Sequence, residues 1–421
     1  MISSKPARAL AVGVAGWSGA PALYVGGLTA CSLVDRCRGR RVTVVDGGSE
    51  AARLLVVVPA HDEAPVIGAT VASLRSCPYP ADRVRILVVA DNCADETAEV
   101  ARRAGAEVLV RDEPDRRGKG YALELAIRWA SDDGWFDAVV VVDADTVVDH
   151  AFLAVLGGYA SRGAAAVQAH YRVRNPAESW RTRLMDVAFV CQHDIRGRAR
   201  RLLGWSAGLR GNGMLWSRET LRRCPYRAFS GVEDLEYGIE LARHGIVVQY
   251  AAETWVAGDM PTSASTAGSQ RTRWEGGRDA LRTRLGPTLV AEAVTGPSAV
   301  IADMAADLYC PPLATVASRT VAAAAVAAVV RRWTGPWPLR IAAVAATALL
   351  GHVATGIATS SDPVKSAAVA IRAPWFAAWK AVRRRAGHAA PTDGEWVRTA
   401  RSASARQDVV SAAQEVHRAV N

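Results

Sequence analysis

The sequence has few cysteines, and none of them is spaced for a metal site or a redox pair. Its seven cysteines are scattered, and neither Cys-x-x-Cys nor a Cys/His zinc spacing occurs. Isolated cysteines of this kind are typical of reduced, buried thiols in an intracellular protein. A structural zinc and a disulfide framework are therefore not expected.

The sequence also lacks the signatures of several nucleotide-handling classes. The P-loop pattern Gly-x-x-x-x-Gly-Lys-Ser/Thr is absent. A glycine-rich nucleotidyltransferase loop is also missing after the first apolar run. The chain is basic, with 51 Lys and Arg against 41 Asp and Glu. Its arginines flank apolar segments instead of forming an aromatic–basic stripe, so no nucleic-acid partner is expected.

Long apolar segments are present instead. Residues 9–34 carry no charge over 26 positions, which is enough to span a bilayer. A signal peptide is the alternative, but its apolar region would be shorter and a small-residue cleavage site would follow. Segments 312–330 and 337–359 also approach the length of a span. The basic residues after the first segment predict a multi-pass protein of the cell membrane with a cytoplasmic catalytic domain.

Composition divides the chain into five predicted parts. In order, they are an N-terminal transmembrane helix (1–35), a basic linker (36–52), a cytoplasmic α/β domain (53–285), a membrane segment with about two transmembrane helices (286–361), and an interfacial helix with a polar C-terminal tail (362–421).

The middle part alternates apolar runs with helical patterns. Runs 54–58, 86–90 and 138–142 are too uniformly apolar for half-exposed strands, and such runs are typical of a parallel sheet covered on both faces. Helical stretches at 95–101 and 121–130 lie between them. The pattern predicts a doubly wound, mostly parallel α/β sheet, whose ligands bind beyond the carboxyl ends of the strands.

Two carboxylates, Asp143 and Asp145, directly follow the third apolar run. At a strand exit both can reach one divalent cation, and Mg²⁺ or Mn²⁺ takes oxygen ligands. Such an ion would hold a diphosphate and stabilise it as it leaves. An ordinary acidic turn is the alternative.

Polar residues also end the first two runs. Asp91 closes the second, where its carboxylate can accept the N3 hydrogen of a uracil; an Asx turn is the alternative. Pro59, His61 and Glu63 follow the first run, where they can contact base and ribose or simply form a turn.

Two glycine-flanked segments suit close contact with substrate. Lys119 stands between two glycines at the start of a helix, a position that favours phosphate, although a solvated loop is equally open. The Gly211–Asn212 loop would let an acceptor approach the backbone closely.

Glu233 and Asp234 begin a predicted helix over 233–244. A sugar hydroxyl must lose its proton as it attacks an anomeric carbon, and Asp234 can take that proton as general base. The alternative is that both acids only complement the helix dipole.

A helical, arginine-rich stretch contains Gln270, Arg273 and Trp274. Arg273 can grip a diphosphate with two hydrogen bonds, and Trp274 offers a flat apolar face to a sugar ring. An amphipathic helix at the membrane surface is the alternative, and the two interpretations are compatible.

In this order the motifs resemble those of the family-2 inverting glycosyltransferases, most closely the membrane-bound branch with cellulose, chitin and hyaluronan synthases. The resemblance covers residues 50–285 and implies an A-type glycosyltransferase fold, a UDP-sugar donor and a divalent metal. Six segments carry it: 58–63, 90–92, 118–120, 143–145, 231–234 and 270–274.

The resemblance also implies a role for each matching residue. Asp91 would contact uracil, Asp143 would lie near the diphosphate or ribose, and Asp145 would bind the metal. Asp234 would be the base, with Glu233 beside it. Three residues would close over the diphosphate and the acceptor end: Gln270, Arg273 and Trp274.

Two departures from the family pattern bear on the product. Val232 replaces the threonine of the usual Thr-Glu-Asp, and fewer spans are present than in polymer-secreting relatives. The predicted function is transfer of a sugar from a UDP-sugar to a saccharide hydroxyl, with membrane lipid and an oligomer or export partner as candidate partners. Single addition to a lipid-linked or small-molecule acceptor is the alternative. A non-catalytic scaffold is disfavoured because every acidic position is filled.

Overall fold

The structure is a computed structural model that describes residues 4–39 and 51–372. Its eight described strands are β1 Leu54–Ala60, β2 Val84–Asp91, β3 Glu107–Arg111, β4 Ala138–Val141, β5 Thr146–Val148, β6 Ala166–Val173, β7 Met214–Ser217 and β8 Val248–Gly258. The α-helices are α1 Ser4–Arg38, α2 Ala64–Arg75, α3 Thr97–Arg103, α4 Lys119–Asp133, α5 Phe152–Ser161, α6 Trp180–Phe189, α7 Arg196–Leu203, α8 Arg218–Arg223, α9 Glu233–Arg243, α10 Ala264–Thr295, α11 Ala299–Tyr309, α12 Leu313–Thr334, α13 Trp337–Ala358 and α14 Pro363–Ala370. A 3-10 turn (Ala81–Arg83) precedes β2, and a π-helix (Val190–Ile195) joins α6 to α7.

The strands form one open, mixed sheet in the order β3-β2-β1-β4-β7-β6-β8-β5. The first four strands are parallel to one another, as predicted from the apolar runs. Beyond β4 the pairing changes, because β7 runs antiparallel to both β4 and β6, and β5 runs antiparallel to β8. Strands β6 and β8 again pair in parallel, so among the described strands only β5 and β7 are reversed. The predicted doubly wound, mostly parallel α/β class is confirmed as an open α/β sheet whose pairing is mixed.

Strand β1 lies at the centre of the fold and is buried along its whole length. Alternate side chains enter opposite layers, since Val56 packs with Ile67 of α2 and Val57 packs with Leu123 of α4. Both faces of the strand are covered, so every position is apolar and no alternation appears in the sequence.

Helix α4 packs very closely against the segment before α9. A β-carbon on Gly120 would lie 2.2 Å from the carbonyl oxygen of Ala228. We expect Gly120→Ala to lower the free energy of unfolding by about 1–3 kcal/mol, although alanine is the better helix former. Thermal melting of the detergent-solubilised protein measures this. Gly68→Ala in α2 is the matched control, because its β-carbon would lie 3.4 Å from Val100. Equal melting temperatures for the two variants would contradict the prediction.

Helices α12 and α13 are long and apolar enough to cross a membrane, by length and composition alone. They match the two predicted spans in the second half of the chain. The other predicted span, residues 9–34, lies within α1 and stays a prediction. Helix α1 packs on α12 and α13, where Ala22 and Val25 meet Ala345 and Leu349.

The second half of α1 lies against α11 and against the α/β domain. Tyr24 donates to Asp303 at 2.8 Å, Arg201 donates to Asp35 at 2.7 Å, and Arg36 donates to Asp194. The second half of α1 therefore pairs with charged residues of α11 and of the sheet-bearing domain.

Two of the predicted part boundaries, after residues 35 and 285, fall inside helices. Helix α1 continues past residue 35 to Arg38, and α10 runs unbroken across residue 286. Most of the predicted basic linker (40–50) and the polar tail beyond residue 372 lie outside the described residues. Of the predicted interfacial helix, the described part is α14.

Candidate active site

The carboxyl ends of β1, β2 and β4 meet at one edge of the sheet. The loop 208–213 and the N-termini of α4 and α9 lie at the same edge. Predicted site residues from five separate segments are therefore brought together here. In open α/β sheets this is where ligands bind.

Lys119 is the centre of the group. Its Nζ donates to Asp143 Oδ1 at 2.5 Å and to the carbonyl oxygen of Gly211, and it lies 3.6 Å from Glu233 Oε1. Burial disfavours its charge, but the attraction of Asp143 and Glu233 outweighs that and raises the pKa of Lys119. Burial also raises the pKa of Asp143, against the opposing effect of Lys119. The lysine predicted for phosphate and a carboxylate predicted for the metal are thus direct neighbours.

Asp234 lies beside this lysine at the start of α9. Gly211 has a φ of +80°, and a β-carbon there would lie 3.5 Å from Asp234 Oδ2, so the glycine keeps the loop close to the carboxylate. Burial raises the pKa of both Asp234 and Glu233, while Lys119 opposes this shift. A carboxylate with a raised pKa is a stronger base, as the predicted role of Asp234 requires.

Asn212 holds the turn that contains Asp143 and Asp145. It is fully buried, its Oδ1 accepts from the backbone N–H of Asp143 at 3.1 Å, and its Nδ2 donates to Thr146 at 2.8 Å. Its amide is engaged with the turn that presents Asp143 and Asp145. This position favours a role in shaping the site over direct contact with an acceptor.

Asp91 is fully buried at the end of β2. Arg111 donates to its Oδ1 at 2.6 Å and Asn92 donates to the same oxygen at 2.9 Å. Within the described part of the chain, Oδ2 makes no hydrogen bond. Burial raises the pKa of Asp91 even though Arg111 opposes the shift. One oxygen is thus fixed by protein and the other can accept a hydrogen from a ligand.

Comparison with known proteins agrees with this geometry. A solved mannosyltransferase, PcManGT from Pyrobaculum calidifontis in complex with GDP-Man and Mn²⁺, superposes with a TM-score of 0.51, covers 82% of this chain and 99% of its own, and is 22% identical. At that identity it shows a shared fold. The sequence model of the family described as "Glycosyltransferase like family 2" matches residues 52–277, more than half of the chain. The chain belongs to this family.

Two curated relatives carry glycosyltransferase names. The probable glycosyltransferase YdaM of Bacillus subtilis (strain 168) is 28% identical over 242 residues, covering 54% of this chain and 56% of its own. The beta-monoglucosyldiacylglycerol synthase of Synechocystis sp. is 29% identical over 233 residues, covering 53% and 48%. The chain spans about half the length of these relatives. The predicted glycosyltransferase class is confirmed at the level of the family.

In this family-2 glycosyltransferase an aromatic pair lies next to Asp91. Tyr121 stacks on Phe229 with ring centroids 4.7 Å apart, and the guanidinium groups of Arg111 and Arg116 lie 5.4 and 4.9 Å from the Tyr121 ring. This stack could not be predicted from the sequence, because its members come from distant segments. It forms a flat wall near the oxygen that can contact a base.

The three predicted residues at the end of β1 have different surroundings. Pro59 is buried within the strand, which continues to Ala60, so the proline shapes the sheet. His61 lies 2.8 Å through Nδ1 from the backbone carbonyl of Asp91. Glu63 is the residue before α2, and its backbone N–H donates to Thr97. Among them, His61 is the one that contacts Asp91, the residue predicted to bind the nucleobase.

A second acidic group lies beside these residues. Ligand atoms of Asp62, Cys93 and Asp95 are within 4.8 Å of one another. However, Asp62 accepts from the backbone N–H of Ala94 at 2.7 Å, and Asp95 accepts from that of Ala64 at 3.1 Å. These carboxylates tie two loops together, and they are separate from the predicted metal ligands.

Helix α10 carries Gln270, Arg273 and Trp274, the three residues predicted to close over the diphosphate. The charge of Arg273 acts on both Glu233 and the buried Tyr171, so its guanidinium belongs to the electrostatic surroundings of the site. Trp274 packs partly against Phe189, with ring centroids 6.4 Å apart. The tryptophan therefore already has an apolar neighbour in the protein, and its predicted contact with a sugar ring stays a prediction.

Proposed function

We propose that the chain is a membrane-bound, inverting glycosyltransferase that moves a sugar from a UDP-sugar to a hydroxyl of a saccharide acceptor. The observation that carries this proposal is the convergence of Lys119, Asp143 and Asp234 at the carboxyl edge of the sheet. We place the catalytic domain in the cytoplasm, with α12 and α13 as spans.

Asp91 would bind the nucleobase of the nucleotide-sugar donor. Its Oδ2 lacks a partner in the described part of the chain, and the Arg111 contact holds the carboxylate in place. Such an oxygen accepts the N3–H of uracil, and guanine also offers a ring N–H. Because the fold neighbour was solved with GDP-Man, UDP-sugars and GDP-Man have to be compared directly.

The donor set suits a divalent metal. Asp143 and Asp145 offer carboxylate oxygens, Asp143 keeps 30% side-chain exposure, and Lys119 already places a cation on its Oδ1. Asp145 and Asp143 would hold Mg²⁺ or Mn²⁺, which when bound offsets the charge of the leaving diphosphate. The fold neighbour was solved with Mn²⁺.

Transfer would be a single displacement. Asp234 takes the proton of the acceptor hydroxyl while that oxygen attacks the anomeric carbon, and the bond from this carbon to the diphosphate breaks with its electron pair. Lys119 and Arg273 would offset charge on the diphosphate. One displacement without an enzyme nucleophile inverts the anomeric centre.

A second candidate is single addition to a lipid-linked or small-molecule acceptor. It is favoured by the contact of α1 with the domain beside the site. One relative is also named as a glycolipid synthase.

Incubation of the detergent-solubilised protein with radiolabelled UDP-sugars and GDP-Man, with Mn²⁺ or EDTA, tests the proposal. Label transferred from one UDP-sugar into a saccharide or lipid fraction is the expected result, and product size separates a polymer from a single addition. Label taken only from GDP-Man would overturn the UDP assignment. No turnover of any donor would overturn the proposed activity.

Loss of the metal site should be as severe as loss of the metal. We expect EDTA and Asp145→Asn each to lower transfer by at least about 100-fold, because the diphosphate then leaves without its main counter-charge. Asp82→Asn is the control, since Asp82 is 80% exposed and precedes β2 at the opposite end of the strand. Full activity of Asp145→Asn in Mn²⁺ would remove Asp145 from this role.

A further inference from the structure

A buried cluster of charges lies between the proposed base and the helices that contact α1. Asp307 of α11 pairs with Arg196 and Arg200 of α7 and, at 3.5 Å, with Arg278 of α10. Arg200 also donates to Asp303 at 2.7 Å. The arginines therefore outnumber the aspartates, and the cluster is positive.

Arg210 belongs to this cluster but has no acidic partner of its own. In the described part of the chain no carboxylate lies within 4.0 Å of its guanidinium, whose one hydrogen bond runs to the carbonyl oxygen of Ala207 at 3.3 Å. Its backbone N–H is fixed by Gln168 at 2.8 Å. The residue is half-buried, and its guanidinium keeps donors that no described group uses, so it has capacity for an anion.

The position of Arg210 follows from its contacts. Its guanidinium and that of Arg200 both donate to the carbonyl oxygen of Ala207, and the next residue, Gly211, lies against Asp234. Burial, with Arg200 and Arg196, lowers the pKa of Arg210 to about 10, against the opposing attraction of Asp307 and Asp234, so the group is still charged at neutral pH. Arg210 therefore lies between the paired arginines and the proposed general base, with unused hydrogen-bond donors.

His193 provides a second unused group at the cluster, three residues before Arg196, which pairs with Asp307. It lies in the π-helix that joins α6 to α7, and such helices are rare and often occur at functional sites. Its Nδ1 is buried and makes no hydrogen bond within the described residues. Its ring packs on Phe189 and Tyr171, with centroids 4.7 and 5.6 Å away. Burial and the nearby Arg210 hold the pKa of His193 well below its usual value, so the ring is neutral and can donate one N–H.

We propose that Arg210 and His193 form a subsite for a phosphate group of the acceptor, close to the hydroxyl that Asp234 deprotonates. This inference rests on the proposed function and names its substrate class as a phosphorylated alcohol. A guanidinium offers the forked donors that phosphate oxygens accept, and a neutral imidazole adds one more. A neutral saccharide would leave Arg210 without a counter-charge.

The position of the subsite leaves two sources for such a phosphate. Arg200 bonds both to Asp303 and to Tyr24 of α1, so the cluster lies on the side of the domain that α1 covers. A phospholipid headgroup and a water-soluble phosphate ester share the required chemistry. Phosphatidylglycerol in vesicles and free glycerol 3-phosphate represent the two sources, because each carries a hydroxyl near a phosphate.

The first test is binding, which needs no turnover. Glycerol 3-phosphate is titrated into the full-length, detergent-solubilised protein by calorimetry, and phosphatidylglycerol vesicles are compared with neutral phosphatidylcholine vesicles by cosedimentation. We expect Arg210→Ala to weaken binding of at least one phosphate source by about tenfold or more, and Arg210→Lys to restore part of it. Arg222→Ala, at an exposed pair with Glu219, loses the same charge and should bind as wild type.

The second test separates acceptor binding from an effect of Arg210 on the base. With a UDP-sugar donor, Arg210→Ala should raise the KM for the phosphorylated acceptor by about tenfold and leave the KM for the donor unchanged. His193→Gln should raise the same KM to a smaller extent. If Arg210 only adjusted Asp234, the variant would lower kcat with every acceptor and leave phosphate binding intact, which would overturn the subsite.

The outcomes also distinguish this inference from the proposed function. Transfer to neutral saccharides without binding of either phosphate source would overturn the subsite and keep the transferase. Binding of phosphate that depends on Arg210, with no sugar transfer to any acceptor, would keep the subsite and overturn the transferase. Glycosylation of phosphatidylglycerol but not of glycerol 3-phosphate, or the reverse, identifies the source.

Discussion

Replacing Asp234 by asparagine should lower sugar transfer by about 10²–10⁴-fold, because the acceptor hydroxyl then loses its proton without a positioned base. Donor binding should change little, because Asp91, the proposed contact to the nucleobase, ends β2, whereas Asp234 lies at the start of α9. Initial rates with the preferred donor, together with calorimetric binding of UDP, measure both effects. Near-normal turnover would remove Asp234 from the role.

Two variants on the same helix make the test specific. Glu240→Gln lies on α9 at an exposed pair with Arg243 and should keep full activity. Glu233→Gln removes a charge 3.6 Å from Lys119 and should lower turnover less than Asp234→Asn. If Glu233→Gln were the more severe change, Glu233 and not Asp234 would be the base.

Replacing Asp307 by asparagine should destabilise the fold by about 3–5 kcal/mol, because Arg196, Arg200 and Arg278 would lose the carboxylate that they share. Two of these guanidinium groups are almost fully buried, so water cannot replace the missing charge. The melting temperature in detergent should fall by roughly 5–10 °C. A fall of under about 2 °C would show that the cluster reorganises at little cost.

The control for Asp307 is Asp279→Asn on α10. Asp279 pairs with Arg282 at an exposed site, where such a pair contributes about 0–1 kcal/mol.

The effect of Asp307 on stability should also depend on pH. Burial alone would raise the pKa of Asp307, but Arg200 and Arg196 hold it well below its usual value. Its contribution is therefore complete above the pKa of the unfolded chain, near ~4, and is lost as the pH falls through the lower folded value.

The parallel half of the sheet could be predicted because its signal is local. Strands β1, β2 and β4 are buried on both faces, so each is a continuous apolar run in the sequence. The two reversed strands, β5 and β7, have no such signal. Strand β5 has three residues and β7 has four, and pairing between strands far apart in the chain decides their direction.

Local and long-range features of the site differ in the same way: the first could be predicted from the sequence, and the second could not. Asp91 and Asp143 follow apolar runs, so their place at the sheet edge could be predicted. The partners of these residues could not, because Arg111 reaches Asp91 from 20 residues away and Lys119 reaches Asp143 from 24. The role of Arg210 could not be predicted either. It depends on the absence of a carboxylate partner within the described fold, and a sequence does not show which charges remain unpaired.

The ion pairs of α1 have a consequence for biogenesis. Arg36 leaves the ribosome 158 residues before its partner Asp194, an interval of roughly 10–30 s at ordinary rates of synthesis. During that time Arg36 has no ion-pair partner, because Asp194 has not yet been synthesised. The sheet-bearing domain therefore forms its ion pairs with a helix that was synthesised before it.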